Sequence, residues 1–193
     1  MKFFYKIKQL LNNWFLKVRS LMARTPDRVR HNVPYISQFA NPGWAEMVIK
    51  DNQPITKDIL WPDSGAKTIE EYERWALSTC GMACAAMLLA FFKKGTFQTI
   101  PLAWDAAKFR VYQKEADGSI SSMQYQPFIK WIARYNLRAT IYTKLTFRSI
   151  QTLLSSGSLI IASVNPNIRD FNTAPATQIG GHLVLIIGYN KKD

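Results

Sequence analysis

The sequence predicts an α+β domain, and three features predict it. A run from Cys80 to Lys94 is almost wholly apolar and rich in Ala, Met and Leu, which reads as a helix buried on all sides. Two short apolar runs, Leu159–Val164 and Leu183–Tyr189, are bounded by Gly, Asn or Pro and read as buried strands. Helical patterns come first and strand patterns later, the order expected of α+β rather than α/β chains. With 193 residues, nearly half of them hydrophobic, there is core material for one domain.

In order along the chain, Phe4, Ile7, Leu11, Trp14, Val18 and Leu21 recur at steps of three and four, the signature of an amphipathic helix. Residues 1–30 carry eight Lys or Arg against Asp27 alone, so +7 of the net +12 lies at this end. Asn12, Asn13 and the interspersed lysines exclude a transmembrane helix, and the segment lacks the apolar core of a signal peptide. Its stripe packs on the protein's own core or a partner, or lies on an anionic membrane surface through residues 3–22. No recognised nucleic-acid motif accompanies the charge, so no nucleic-acid partner is expected. Thr25-Pro26 closes the helix, leaving 1–30 as helix and linker and 31–193 as the domain.

Val33 to Gln38 reads as a short extended segment. Residues 41–67, rich in Asn, Pro, Asp and Gly, read as a long surface excursion. A short helix is expected over Glu70–Trp75, and Gly95 is a fitting stop for the apolar helix. Further helices are expected over Ala103–Lys114 and Met123–Tyr135, separated by the turn Ala116-Asp117-Gly118-Ser119. Arg138–Thr143 alternates like a strand, and Thr146–Ser155 reads as a helix capped by Thr146.

Two cysteines four residues apart cannot form a disulfide framework, and two histidines are too few for an ordinary Cys/His zinc site. No metal or other cofactor is expected. The cysteine usage fits a catalytic thiol or a reducing compartment, and hence a cytoplasmic protein, peripheral on the membrane if the first helix binds there. A thiol reacts as the thiolate, which a helix N-terminus favours, and Ser78-Thr79-Cys80-Gly81 stands where the apolar helix must begin. Ser78 or Thr79 would cap it, and Gly81 would leave room beside Cys80 for a reacting carbonyl. His182 supplies a base at the mouth of a strand, and Gly180 and Gly181 would let a substrate backbone pass beside it. Cys84 lies one turn along the helix, about 6 Å down its axis, and reads as packing.

Val33-Pro34-Tyr35-Ile36-Ser37-Gln38, Thr79-Cys80-Gly81-Met82-Ala83-Cys84-Ala85-Ala86-Met87 and Gly181-His182-Leu183-Val184 follow one another in the chain. This series resembles the papain-like cysteine peptidases related to the bacteriocin leader-processing (double-glycine) peptidases, over roughly residues 33–193. The papain-like cell-wall amidases, with an Asp-Cys-Ser-Gly block, fit worse because Gly81 follows Cys80 directly. The resemblance implies a papain-like fold, its nucleophile heading a buried helix on an antiparallel sheet, and hydrolysis of a peptide or amide substrate. It assigns Cys80 as nucleophile, His182 as general base and Gln38 as the side-chain donor of the oxyanion hole. A catalytically silent relative that binds peptide is the alternative. The gap between Gln38 and Cys80 suggests that residues 41–74 are an insertion over the site. No Asp or Asn matches the family's third member after His182: with Leu183–Tyr189 as one strand, Asn190 would lie roughly 26 Å away. Asp170 could substitute only if its loop curls back. The expectation is therefore a truncated chain, weakly active at best, with an unpaired strand edge.

Overall fold

The structure, a computed structural model, describes residues 2–169 and 180–192. It is a mixture of helices and small sheets, compatible with the α+β class. The chain divides into two compact units: residues 1–32, 139–160 and 185–193 form one, and residues 33–138 and 161–184 the other.

The larger unit is built around a helix, α4 (Cys80–Lys93), with Met82, Ala83, Cys84, Ala85, Ala86 and Leu89 in the core. It packs on α5 (Thr99–Ala107), as does the preceding α3 (Ile69–Ala76). Thr68 caps α3 by accepting from the Glu71 N–H at 3.2 Å, and the Glu71 carboxylate accepts from the Lys67 N–H at 2.8 Å, a reciprocal arrangement that fixes the helix start. The apolar helix ends one residue before the expected glycine: Lys94 itself takes the left-handed cap conformation, with φ of 57°. Helix α5 begins earlier than Ala103, because Pro101 falls in its first turn, where a missing N–H costs no intrahelical bond. Residues 108–114 are not helical. They fold back across the Ala116–Ser119 turn in a small antiparallel bridge, Lys114 to Ile120, and Gln124 N donates to Val111 O at 2.8 Å. Then follow α6 (Tyr125–Ile132) and a 3-10 turn over Ala133–Tyr135, close to the expected helix.

Residues 41–67 carry more structure than their composition suggests. They include a short helix, α2 (Trp44–Ile49), and two 3-10 turns, held by the fully buried Asp58. Its carboxylate accepts from Tyr72 Oη at 2.6 Å and from the N–H groups of Asn41 and Leu60, each at 3.1 Å. Tyr72 Oη in turn accepts from Ala40 N at 2.9 Å. The segment is thereby tied to α3 by a buried polar network.

In the smaller unit, α1 (Lys2–Met22) packs on α7 (Phe147–Ser155). Thr146 caps α7 as expected, accepting from Ser149 N at 3.2 Å. Residues 138–143 form no strand. Asn13 of α1 takes both the backbone and the hydroxyl of Thr143, with hydrogen bonds of 3.2 and 2.8 Å, in place of a ladder partner. Strand β1 (Arg28–Arg30) pairs antiparallel with β4 (Gly188–Asn190). Leu183–Tyr189 is thus not one strand. It breaks at Ile187 into β3 (His182–Ile186), which pairs with β2 (Ile160–Val164), and β4.

Candidate active site

Helices α3 and α4 meet at 93°, and the corner between them is Leu77-Ser78-Thr79. Gln38 latches this corner: its side-chain N–H groups reach the carbonyls of Ala76 at 2.7 Å and Leu77 at 3.1 Å. Thr79, fully buried, turns its hydroxyl back to Ala76 O at 3.2 Å and Gln38 O at 3.5 Å. Ser78 Oγ donates to Ile120 O at 3.3 Å. Neither expected cap therefore bonds the first turn of α4. The first intrahelical bond is Ala83 N to Thr79 O, which leaves the N–H groups of Cys80, Gly81 and Met82 outside the ladder and directed at the helix N-terminus. Such a terminus stabilises negative charge on a thiolate or an oxyanion.

Cys80 opens α4 and is half-buried, whereas Cys84 is only 2% exposed. Burial pushes the Cys84 thiol up to about 12, with nearby Cys80 adding to the effect, so Cys84 stays a neutral thiol near neutral pH. Cys80 is the thiol with access to solvent.

Gly81 joins the two halves of the candidate site. It is buried, and a methyl group on it would stand 2.5 Å from Met123 Sδ, 3.0 Å from Leu183 Cδ1 and 3.2 Å from Tyr112 Oη. The space beside Gly81 is thus filled by the protein's own side chains, and the absent side chain serves close packing. Leu183 directly follows His182, so the start of the Cys80 helix seats against the start of the His182 strand. His182 is half-buried and not without a partner. Gly180 and Gly181 have φ of +82° and +110°, the left-handed region that favours glycine, and a Cβ on them would press on Ser163 Oγ and on the Pro166 ring. Gly181 is exposed beside His182. Asp170 lies outside the described residues.

The sequence gives no signal for Tyr112, which falls in a stretch that reads as helix. Its ring stacks edge-on to Trp75 at 5.8 Å and is 2% exposed, and its hydroxyl makes no hydrogen bond among the described residues. Burial raises its ionisation above the ordinary phenol range, and the thiols of Cys80 and Cys84 add to the rise. The phenol is therefore within electrostatic reach of both cysteines. Among the described residues no group of three or more His, Cys, Asp or Glu could hold a metal ion.

The sequence model of the Peptidase_C39 like family matches residues 30–193, most of the chain. The chain belongs to the Peptidase_C39 like family. No curated protein and no solved structure matches it. Membership bears out the resemblance drawn from the blocks at 33–38, 79–87 and 181–184, and it suggests a cysteine peptidase. Within this Peptidase_C39 like chain, α1 lies outside the matched range.

Proposed function

We propose that the protein is a papain-like cysteine peptidase or amidase with Cys80 as nucleophile and His182 as general base. The observation that carries this reading is the seating of Gly81 on Leu183, which sets the residue after the thiol against the residue after the imidazole. Cys80 Sγ, its proton passed to His182, attacks the substrate carbonyl carbon, and a C–S bond forms as the carbonyl oxygen becomes an oxyanion. The uncapped N–H of Cys80 donates to that oxyanion, and Gln38 joins it if one of its N–H groups leaves the Ala76 or Leu77 carbonyl. The oxyanion collapses, the C–N bond breaks, and His182 gives its proton to the leaving amine. Water then attacks the acyl-thioester while His182 takes its proton, which releases a carboxylic acid and restores the thiol. Gly181, exposed beside His182, is where an extended substrate backbone would run.

Turnover of a fluorogenic peptide library by the full chain tests this reading. Cys80→Ala and His182→Ala should each reduce hydrolysis by a hundredfold or more, roughly the contribution of general base catalysis or better. Hydrolysis that survives Cys80→Ala would exclude the mechanism. One observation favours a second reading: both Gln38 N–H groups are engaged at the helix corner. In that reading the same surface binds peptide without cleaving it, and wild type and Cys80→Ala would bind equally with no product formed.

A further inference from the structure

Helix α1 is attached to its unit by the side of the helix that sequence patterning would call outer. Among the α1 side chains the structure describes, Tyr5, Gln9, Asn12, Asn13, Leu16 and Ser20, spaced three and four apart, are the ones that lose exposure, and five of the six carry an amide or a hydroxyl. The bonds that hold this side are polar. Asn13 grips Thr143, Ser20 Oγ donates to Ser149 Oγ of α7 at 3.4 Å, and Arg148 donates to the carbonyls of Ser20, Leu21 and Ala23 at 2.6, 3.2 and 3.4 Å.

The apolar stripe faces the other way. At about 100° per residue its centre lies about half a turn from the attached side. Leu10 (66% exposed), Leu11, Trp14 (57%), Phe15, Leu21 and Met22 (82%) stand in solvent. The expectation that this stripe packs on the protein's own core is therefore overturned within this unit. An uncovered apolar row of this length marks a contact surface rather than scattered surface residues.

Charge decides what fits it. Lys6 and Lys17 border one side of the stripe, Lys8 and Arg19 border the other, all four are exposed, and no acidic residue precedes Asp27. Cations along both borders match a plane of anionic phosphates that meets a flat-lying helix on its two flanks at once, with the Lys and Arg stems alongside the apolar row. A protein groove would need two separate acidic walls at the same spacing. No single described helix is long and apolar enough to cross a membrane, which is consistent with a helix lying in the interface.

We propose that the outer face of α1 docks the protein on an anionic lipid surface. This goes beyond the peptidase reading and does not depend on it.

Flotation of the full chain with vesicles of phosphatidylcholine, with and without phosphatidylserine, tests the proposal. Binding should require phosphatidylserine and weaken as salt rises. Each cation contributes about fivefold near such a surface, so reversing Lys6, Lys8, Lys17 and Arg19 to Glu should weaken binding by on the order of a hundredfold or more. Leu10→Gln with Trp14→Gln and Leu21→Gln should abolish it. All of these positions are exposed, so unfolding is not expected, and the salt titration on the unaltered chain keeps the test intact if a variant fails to fold. Absence of binding to the anionic vesicles overturns the proposal, as does binding indifferent to salt and lipid charge. A stable dimer that the glutamine variant converts to monomer, with no vesicle binding, overturns it in favour of a second copy on the same face.

Discussion

Replacing Gly81 by alanine puts one methyl group into the joint between the α4 start and the β3 start. Its nearest neighbours would be Met123 Sδ at 2.5 Å, Leu183 Cδ1 at 3.0 Å and Tyr112 Oη at 3.2 Å. Met123 is flexible and can swing, but Leu183 and Tyr112 are both buried and must move as packed side chains. Overpacking of this kind costs about 1–3 kcal/mol. Against it, alanine in place of glycine gains up to about 1 kcal/mol of helix propensity. With the full propensity gain the balance is a loss of up to about 2 kcal/mol, read as a fall in Tm or in the denaturant midpoint. The displacement falls on the neighbour of His182, and misplacement of reacting groups by 1 Å can cost about a hundredfold in rate. Peptide turnover should therefore fall well beyond what the fraction folded explains. A Gly81→Ala protein with unchanged stability and unchanged turnover would mean that this glycine does not seat the two elements together.

Other substitutions separate structure from chemistry at the same corner. Gln38→Ala removes two hydrogen bonds to the Ala76 and Leu77 carbonyls and should cost about 1–3 kcal/mol; a loss of turnover at unchanged Tm would instead make Gln38 purely an oxyanion donor. Tyr112→Phe removes a buried hydroxyl with no partner among the described residues, so Tm should hold or rise. A drop in kcat in that variant would show that the phenol donates to the reacting centre. Cys84→Ala should leave turnover intact and cost about 1 kcal/mol or less. It also changes the alkaline behaviour. The Cys84 thiol is held at about 12 in the fold against an ordinary 9.0, so folded protein retains a proton that the unfolded chain gives up. That contribution is fully present below pH 9 and is lost as pH rises toward 12, so unfolding curves of wild type should decline with pH more steeply than those of Cys84→Ala.

Elements whose partners are near in sequence or whose composition is extreme were legible without a structure. The apolar run of α4 can only be a buried helix, Thr146 caps α7 by purely local bonding, and the cysteine, histidine and glutamine blocks sufficed to place the family. Residues 138–143 misled because alternation says nothing about who supplies the hydrogen bonds, and here the Asn13 side chain does. Periodicity in α1 located its apolar stripe correctly but not the side on which its unit sits, because polar groups make that attachment. Asp58 and Tyr72 turn a stretch with loop-like composition into ordered structure by a buried network whose members are 14 residues apart. Tyr112 stayed hidden because its significance lies in having no hydrogen-bond partner among the described residues in a buried place, which no pattern of residue types encodes.

Whether Cys80 is a nucleophile served by His182 is read by site-resolved alkylation of the native protein. Wild type and His182→Ala are treated with a small thiol-reactive probe across pH, and the modified residue is identified by mass spectrometry of peptides. One fast label per chain is expected, on Cys80, with Cys84 labelled only after unfolding. His182→Ala should slow the Cys80 reaction at neutral pH in protein that is still folded. Labelling of Cys84 at a comparable rate, or a Cys80 rate with the same pH profile in both proteins, would rule out Cys80 as a nucleophile served by His182.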